Sequence, residues 1–251
     1  MTTYTALHLK PLLKAKRLLN TYAYDNVSNH TLKTVNGAKT VYTYNSLNQL
    51  VSENDTTYEY DSNGNLIRII GKDKAAIYEY NSENKLIKAT VQSGSNVIVE
   101  EYTYDYAGNR TSKSTSCNGQ VEYVKYLNDN SSLTNVLVEI NADGTEKCYY
   151  TIGADLISQE VDGKVSTYLY DGHGTVRALA DEDENVTDTY SYDAFGNLLS
   201  STGTTANNYR YCGEQFDSTT GLYYLRARYM GILLQADSFH RIAMQAQLLA
   251  L

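Results

Sequence analysis

The sequence of 251 residues has no tryptophan, one proline (Pro11), three phenylalanines and three cysteines. One proline and 16 glycines exclude collagen-like and proline-rich linker material. Because proline is the residue that removes a ladder donor, almost nothing here would interrupt a β-sheet. Charged residues make up 20% and hydrophobic residues 42%, so the chain is too apolar and too weakly charged to be disordered. The length is sufficient for a sizeable core.

Long hydrophobic runs are also missing. No stretch approaches the roughly 20 apolar residues of a membrane helix, and runs such as residues 66–70 are of strand length. The leucines near the N-terminus are interrupted by Lys10, Lys14, Lys16 and Arg17. A secretory signal requires an uncharged core of roughly 7–15 residues, so we predict no signal peptide in this chain.

Basic charge is scarce outside the first 20 residues. The net charge is −8, of which residues 1–20 carry +4 and the other 231 residues −12. An acidic body does not suit the phosphate backbone, so we predict no binding of nucleic acid. Cys117, Cys148 and Cys212 are far apart and form no CxxC motif. They predict neither a disulfide framework nor a zinc site, and we interpret them as free, partly buried thiols.

One acidic cluster is a candidate metal site. Asp181, Asp183 and Asn185 have the one-three-five spacing of a calcium loop. An EF-hand requires Gly at position six and Glu at twelve, where this chain has Val186 and Tyr192. A solvated hairpin turn is therefore the favoured interpretation. The four histidines show no HExxH spacing. We predict no metal and no cofactor.

What the chain has in abundance is tyrosine, 25 residues in all, and most of it marks a repeat. The unit is Tyr-x-Tyr, then Asp or Asn, two variable residues, Gly or Asn, a polar residue and often Leu. Its first tyrosines are at positions 22, 42, 58, 78, 102, 168, 190 and 209, in steps of 16 to 24 residues except across 102–168. That gap contains Tyr123 and Tyr149-Tyr150, where we place two degenerate units. Such a period predicts units that stack along one axis.

Each unit is predicted to be a β-hairpin. Side chains alternate along a strand, so Tyr-x-Tyr places both rings on one face. The Asp or Asn begins a turn, and the later Gly or Asn tolerates the positive φ that reverses the chain. Tyrosine in place of phenylalanine indicates either packing in which the rings stay partly exposed to water or a water-filled lumen, because a buried hydroxyl needs a hydrogen-bond partner. The residues that define the unit most clearly are Tyr58, Tyr60, Asp61 and Gly64; Tyr102, Tyr104, Asp105 and Gly108; and Tyr190, Tyr192, Asp193 and Gly196.

A second motif lies in residues 209–229. Its distinctive residues are Gly213, Glu214, Asp217, Gly221, Leu222, Tyr223, Tyr224, Arg226, Arg228 and Tyr229. Together with the Tyr-x-Tyr units, this motif resembles the RHS-repeat (YD-repeat) family, and residues 209–239 resemble the beginning of its core-associated domain. The resemblance covers about residues 20–239.

The resemblance implies an all-β fold in which repetitive antiparallel hairpins form a curved or spiralling sheet, part of a shell, with short helical or disordered ends. It divides the chain into a basic N-terminal segment (1–20), a YD-repeat sheet (21–208), a shortened core-associated region (209–239) and an apolar tail (240–251). It further implies a secreted or cell-surface protein. The partners it implies are N-terminal repeats or a delivery module of the same family and a C-terminal toxin cargo.

Many family members also cut themselves by aspartyl chemistry, which needs two close carboxylates. Asp237 is the one acidic match to that region, and residues 238–251 contain no Asp or Glu. We therefore expect a noncatalytic shell fragment that stops before a toxin. Two alternatives remain: a cell-surface carbohydrate-binding module that uses exposed tyrosines, and a degenerate autoprotease that relies on Asp237. Open sheet edges predict self-association.

Overall fold

A computed structural model describes residues 20–72, 74–130, 134–193, 196–226 and 229–231. All regular structure in these ranges is β, apart from a 3₁₀ turn at Tyr211–Gly213. The predicted all-β fold class is therefore confirmed. None of the described residues belongs to a helix that could cross a membrane. The predictions for the N-terminal segment, the apolar tail, Arg228 and Asp237 lie outside the described residues.

One antiparallel sheet of eighteen strands contains the repeats. Each strand pairs with the next one along the chain, so the sheet is a meander. The strands are β1 (Asn20–Tyr24), β2 (His30–Val35), β3 (Ala38–Tyr44), β4 (Leu50–Glu53), β5 (Thr56–Tyr60), β6 (Leu66–Ile70), β7 (Lys74–Tyr80), β8 (Leu86–Ser93), β9 (Asn96–Tyr104), β10 (Arg110–Cys117), β11 (Gln120–Asp129), β12 (Asn135–Asn141), β13 (Glu146–Ile152), β14 (Leu156–Val161), β15 (Lys164–Tyr170), β16 (Val176–Ala180), β17 (Val186–Tyr192) and β18 (Leu198–Thr202).

The β5–β6 hairpin shows how one repeat folds. The Tyr58 ring is buried and the Tyr60 ring half-buried, both in one cluster on the same face of the sheet. In the turn, the Asp61 carboxylate accepts hydrogen bonds from the backbone amides two and four residues later, at 2.9 and 2.8 Å. Gly64 has a φ of +84°, the left-handed value that closes the turn. The hairpin interpretation of the repeat is confirmed.

The two ends of the hairpins form two different rims. We call the end at which every Tyr-x-Tyr strand finishes the Asx rim, because an Asp or Asn opens most of its turns. The turn with Asp181, Asp183 and Asn185 joins β16 to β17 and lies at the opposite rim. Its Asp181 carboxylate accepts the backbone amides of Asp183 and Asn185, at 3.1 and 2.8 Å, as in the repeat turns. Among the described residues, no group of three or more His, Cys, Asp or Glu side chains is placed to hold a metal ion.

The degenerate units differ in part from the prediction. In β11 the buried tyrosine is Tyr126, whereas Tyr123 is 38% exposed, so the assignment of this unit to Tyr123 was wrong. Side chains alternate between the two faces of a strand, so Tyr123, three residues before Tyr126, lies on the opposite face of the sheet. In β13 the buried ring is Tyr150, while Tyr149 faces solvent.

The last predicted copy, Tyr209-Arg210-Tyr211, is not a hairpin of the large sheet. The chain leaves that sheet after Thr202 and runs across the tyrosine face, and we call residues 203–226 and 229–231 the inner segment. It contains a three-stranded sheet of β19 (Gln215–Asp217), β20 (Leu222–Tyr224) and β21 (Tyr229–Gly231).

The core lies between the tyrosine face and the inner segment. Buried side chains form three clusters along the sheet, one over β3–β9, one over β11–β13 and one over β15–β17. Leu222 of the inner segment completes the first, and Tyr209 packs against the other two. The sheet is curved: Lys33 in β2 lies 3.1 Å from the carboxylate of Asp193, in the turn after β17. Strands near opposite ends of the meander therefore approach each other.

Candidate functional site: the buried contact between sheet and inner segment

Arg110, the first residue of β10, is the centre of the contact. Its Nη1 atom donates to Asp217 Oδ2 at 2.6 Å and to Tyr229 Oη at 2.9 Å, and its Nη2 atom donates to Gln215 Oε1 at 2.8 Å. The backbone amide of Arg110 donates to Tyr224 Oη at 2.8 Å. One residue of the sheet thus binds all three strands of the small sheet.

Four tyrosine rings surround the Arg110 guanidinium. Two belong to the large sheet, Tyr102 and Tyr126, at 5.5 and 5.0 Å from the ring centroids. The other two, Tyr224 and Tyr229, belong to the inner segment, at 4.5 and 5.7 Å. A cation held over aromatic faces is stabilised most where water is excluded, and the Arg110 side chain is only 1% exposed.

A second cation completes the charge balance of this site. Lys113, three residues further along β10, donates to Asp217 Oδ1 at 2.9 Å and lies 3.7 Å from Glu100 Oε1. Glu100 also accepts hydrogen bonds from Tyr102 Oη at 2.6 Å and from Thr115 Oγ1 at 3.2 Å. Two buried carboxylates therefore face two cations, so the cluster is formally neutral.

The pKa values follow from this arrangement. Burial would raise the pKa of Asp217, but Arg110 and Lys113 hold it below its ordinary value. Burial likewise lowers the pKa of Lys113, and the carboxylates of Asp217 and Glu100 more than offset this, so that its pKa is raised. Both groups are held in their charged forms, which favours a structural ion pair over a proton-transfer site.

Three further polar contacts hold the inner segment along the sheet. Glu139 of β12 accepts from Asn208 Nδ2 at 3.2 Å, and Gln159 of β14 donates to the Ala206 carbonyl at 2.7 Å. Asp188 of β17 accepts the Thr205 amide at 3.0 Å. Each of these sheet residues is buried.

Glu214 and Arg226 form an ion pair within the inner segment. Arg226 Nη1 lies 3.1 Å from both Glu214 carboxylate oxygens, and Arg226 Nε donates to the Thr134 carbonyl at 2.9 Å. Burial raises the pKa of Glu214, and Arg226 limits the rise. The pair also ties the segment to the sheet next to β12.

Several tyrosine hydroxyls have partners within the fold, although the buried hydroxyl of Tyr192 has none among the described residues. The first tyrosine of a unit donates to an inward side chain, as Tyr58 does to Glu53 at 3.0 Å and Tyr150 to Glu139 at 2.9 Å. The second tyrosine donates to the carbonyl of the first residue of the preceding strand, as Tyr80 does to Leu66 at 2.9 Å. Burial raises the pKa of buried rings such as Tyr78, to about 12, so these hydroxyls stay protonated. The tyrosine face is packed and hydrogen-bonded rather than a lining of a water-filled lumen.

A cysteine–histidine pair joins the inner segment to one turn of the Asx rim. Cys212 Sγ is 3.3 Å from His173 Nδ1, a distance at which a histidine could activate a thiol. Burial, however, raises the pKa of Cys212 to about 12, and Cys148 is likewise raised, to about 11. These thiols are therefore protonated at neutral pH. Cys117, Cys148 and Cys212 are free, as predicted.

The structure places the predicted motif residues at two locations. The repeat tyrosines and turn residues lie on the tyrosine face and at the Asx rim, and the described residues of the second motif lie in the inner segment. Sequence reasoning missed the sheet residues that receive the segment, which are Glu100, Arg110, Lys113, Glu139, Gln159 and Asp188. One signal was available: charged residues at inward positions of strands that are otherwise tyrosine and aliphatic.

Comparison with known proteins identifies the fold. A family model described as teneurin YD-shell matches residues 7–235. The chain belongs to this YD-shell family. The resemblance to RHS/YD-repeat proteins is therefore confirmed, and the architecture is that of a shell wall.

Individual relatives support the same assignment. The tRNA3(Ser)-specific nuclease WapA of Bacillus spizizenii is 38% identical over 229 residues, and the tRNA nuclease WapA of Bacillus subtilis is 37% identical over 229 residues. Each match covers 86% of this chain but 9% of the relative, so the chain spans less than a tenth of their length. The crystal structure of TcdB2-TccC3-Cdc42 superposes with a TM-score of 0.51 at 16% identity, over 86% of this chain and 15% of that one. That likeness shows a shared fold.

Proposed function

We propose that this YD-shell chain is a noncatalytic stretch of shell wall, whose tyrosine face is held in place by the inner segment of the same chain. The whole protein would enclose and deliver a C-terminal toxin. The observation that carries the proposal is the Arg110 contact, in which one buried cation binds Asp217, Gln215 and Tyr229. Around Arg110, the tyrosine face that an enzyme would need for a substrate is occupied by the inner segment of the same chain.

The buried acids support a structural role. Asp217 is bound by two cations, and Glu100 and Glu139 accept hydrogen bonds from tyrosine hydroxyls. A general acid or base needs a pKa near the working pH and access to a substrate proton. These carboxylates are instead occupied by neighbours that fix the position of the inner segment.

The tRNA nuclease relatives raise the question of where their activity resides. Because the match covers 9% of each relative, we propose that nuclease activity belongs to parts of those proteins outside the matched region. Purified chain incubated with total tRNA and Mg²⁺ should leave the tRNA intact and should not shift it on a native gel. Cleavage that survives repurification, or a salt-sensitive shift, would contradict both the noncatalytic assignment and the predicted lack of nucleic-acid binding.

The carbohydrate-binding alternative depended on exposed tyrosines. The repeat tyrosines from Tyr42 to Tyr104 are instead buried or half-buried, and only Tyr24 of the first unit is exposed, at 52%, so the repeats do not form an open stacking surface. Fully exposed Tyr106 lies alone in one turn of the Asx rim. A peptidoglycan pull-down tests this alternative, and retention that Tyr106→Ala abolishes would restore it.

The autoprotease alternative rests on Asp237. Intact mass of the purified chain should show one full-length species, and Asp237→Asn should leave that mass otherwise unchanged. A second species that disappears in the variant would establish self-cleavage. By the same family resemblance, we propose a secreted or cell-surface location, with N-terminal repeats or a delivery module as partners.

Limited trypsin digestion tests the proposed support directly. Arg210 and Arg226 are trypsin sites within the inner segment, and both are partly buried. In the folded wild-type chain we expect both to resist cleavage, and Arg110→Met should make them cleavable by releasing the segment. Arg68→Met is the matched control, since Arg68 forms only an exposed ion pair with Glu59. Rapid wild-type cleavage at Arg210 or Arg226, with the strands still folded by circular dichroism, would refute the proposal.

A further inference from the structure

The outer face of each hairpin carries one chemically matched pair of residues. The residue that follows the first tyrosine of a unit points away from the tyrosine face, because side chains alternate along a strand. Directly opposite it lies a residue of the returning strand with complementary chemistry. In the described strands of the large sheet, these outer pairs are Ala23–Leu32, Thr43–Ser52, Glu59–Arg68, Glu79–Lys88, Thr103–Ser112, Leu127–Val138, Thr151–Ser158, Leu169–Ala178 and Ser191–Ser200. Three outer pairs are apolar, four join two hydroxyls and two join an acid to a base.

Polar outer pairs are in contact across the two strands. Thr103 Oγ1 lies 2.6 Å from Ser112 Oγ, a hydrogen bond in which either hydroxyl can be the donor. Arg68 Nη1 lies 3.4 Å from Glu59 Oε2, with both side chains about half exposed. An exposed ion pair of this kind contributes little to the stability of a fold. Its larger effect lies in the strand pairings that it disfavours, since like charges placed directly opposite each other destabilise a sheet.

The match is complete only within a hairpin. Each returning strand also pairs with the first strand of the next unit, and three of those eight pairings in the described sheet join unlike side chains, which are Arg68 with Ile77, Ser112 with Lys125 and Ala178 with Thr189. The chemistry of the outer pair changes from unit to unit, while its two members stay matched. In seven of the nine hairpins the members are nine residues apart. The outer pair is therefore local and can form as the hairpin closes.

The tyrosine face cannot identify a partner strand, because every unit presents the same rings there. A slip of one residue is excluded, since it would move the tyrosines to the outer face. A slip of two residues, or pairing with a strand of another unit, keeps the tyrosines inside. In the β5–β6 hairpin, a two-residue slip in one direction would place Glu59 opposite Ile70 in place of Arg68. Mispairing among similar units is a characteristic failure of repeat proteins.

We propose that the outer pair selects the partner strand and the register of each hairpin while the chain folds. The tyrosines and the turn residues make any two such strands able to form a hairpin. The residue after the first tyrosine then favours a returning strand of complementary chemistry over the returning strands of other units. This proposal concerns the outer face, and it does not depend on the noncatalytic role proposed above or on the contact at Arg110.

Two double variants with the net charge of the wild-type chain test the proposal. Glu59→Lys/Arg68→Glu reverses one outer pair and keeps it matched. Arg68→Glu/Glu79→Lys mismatches two outer pairs, because Glu59 then faces an acid and Lys88 faces a base. In urea, the reversed variant should keep the wild-type equilibrium constant of unfolding within about twofold, whereas the mismatched variant should unfold about fivefold more readily. In 1 M salt, which screens exposed charges, this difference should disappear.

Folding kinetics separate selection of a strand from simple stabilisation. A pair that acts while the hairpin forms changes the folding rate, whereas a pair that acts only in the finished sheet changes the unfolding rate. For the mismatched variant we expect slower refolding and a lower recovery of soluble chain after dilution from urea, with an unfolding rate within about twofold of wild type. The reversed variant should refold as the wild-type chain does.

Three results would overturn the proposal. Equal behaviour of the two double variants would show that matching within the hairpin is irrelevant. A loss in the reversed variant that the mismatched variant does not share would assign the effect to the diagonal neighbours Arg68 and Glu79, which belong to different hairpins. A change confined to the unfolding rate of the mismatched variant, or one that persists in 1 M salt, would mean that the outer pair does not select strands by its charge.

Discussion

The guanidinium of Arg110 in β10 lies 2.6 Å from the carboxylate of Asp217 in β19, which is 107 residues further along the chain, and both side chains are 1% exposed. No local interaction links these residues. The ion pair therefore depends on, and reports, the docking of the inner segment on the sheet.

Removal of the Arg110 charge should strongly destabilise the fold. Arg110→Met leaves Asp217 buried with Lys113 as its remaining cation, and breaking a buried pair by removing one partner costs about 3–5 kcal/mol. Urea unfolding followed by circular dichroism measures the loss. Arg68→Met should change the free energy of unfolding by less than about 0.5 kcal/mol, since its ion pair is exposed. A loss below about 1 kcal/mol for Arg110→Met would contradict the assignment.

Acid should weaken the same contact. The folded-state pKa of Asp217 is below its ordinary value, and the unfolded value is about 3.9. The stabilisation is thus fully present above about pH 5 and is lost as the pH falls through the folded-state value. Urea midpoints measured from pH 6 to pH 2.5 should fall less steeply for Asp217→Asn than for wild type at the acid end. Parallel curves would show that Asp217 titrates normally in the folded chain.

The second tyrosine of a unit should contribute one hydrogen bond. Tyr80 donates to the Leu66 carbonyl at 2.9 Å. Tyr80→Phe keeps the ring and removes that bond, so we expect a loss of about 0.5–1.5 kcal/mol in the free energy of unfolding. Tyr106→Phe, at a fully exposed turn position, should have no measurable effect. Identical stabilities for the two variants would mean that the ring alone, and not the hydroxyl, matters at Tyr80.

Gly203 should tolerate no side chain. Its φ is +83°, and that of Gly37 is +90°. The Cβ of Gly37→Ala would have no atom within 4 Å. This variant therefore measures the cost of the left-handed backbone alone, about 1–2 kcal/mol in the free energy of unfolding. Gly203→Ala adds a collision of the new Cβ with the Asp188 carboxylate and should cost clearly more in thermal unfolding, with greater protease sensitivity of the inner segment. Equal losses of stability for the two variants would mean that the Asp188 side chain moves aside at little cost.

The hairpin repeat could be predicted from sequence because its determinants are local. Period-two tyrosines, an Asp or Asn after the second ring and a residue of positive φ all fall within nine residues of each other. Even the weak unit in β11 follows the rule, since Asn128 donates to the Arg110 carbonyl at 2.9 Å, the role that tyrosine has elsewhere. That unit was misassigned only because Tyr123 was the more conspicuous residue.

The buried contact could not be predicted in the same way. Nothing near Arg110 in the sequence indicates that its partners are Gln215, Asp217 and Tyr229. The pairing is determined by the path of the inner segment across the sheet, which depends on long-range packing. A charged residue at an inward strand position was the one local indication that something polar lies opposite.

The hydrogen bonds from second tyrosines to strand-opening carbonyls all lie close to the Asx rim, although the loops they close differ in length. The spacing is 14 residues for Tyr80 and Leu66 but 18 residues for Tyr104 and Leu86. Four extra residues, about two per strand, raise the hairpin by about 7 Å. All of that height is added at the far rim. The wall can therefore be built taller or shorter one hairpin at a time, while its base stays level.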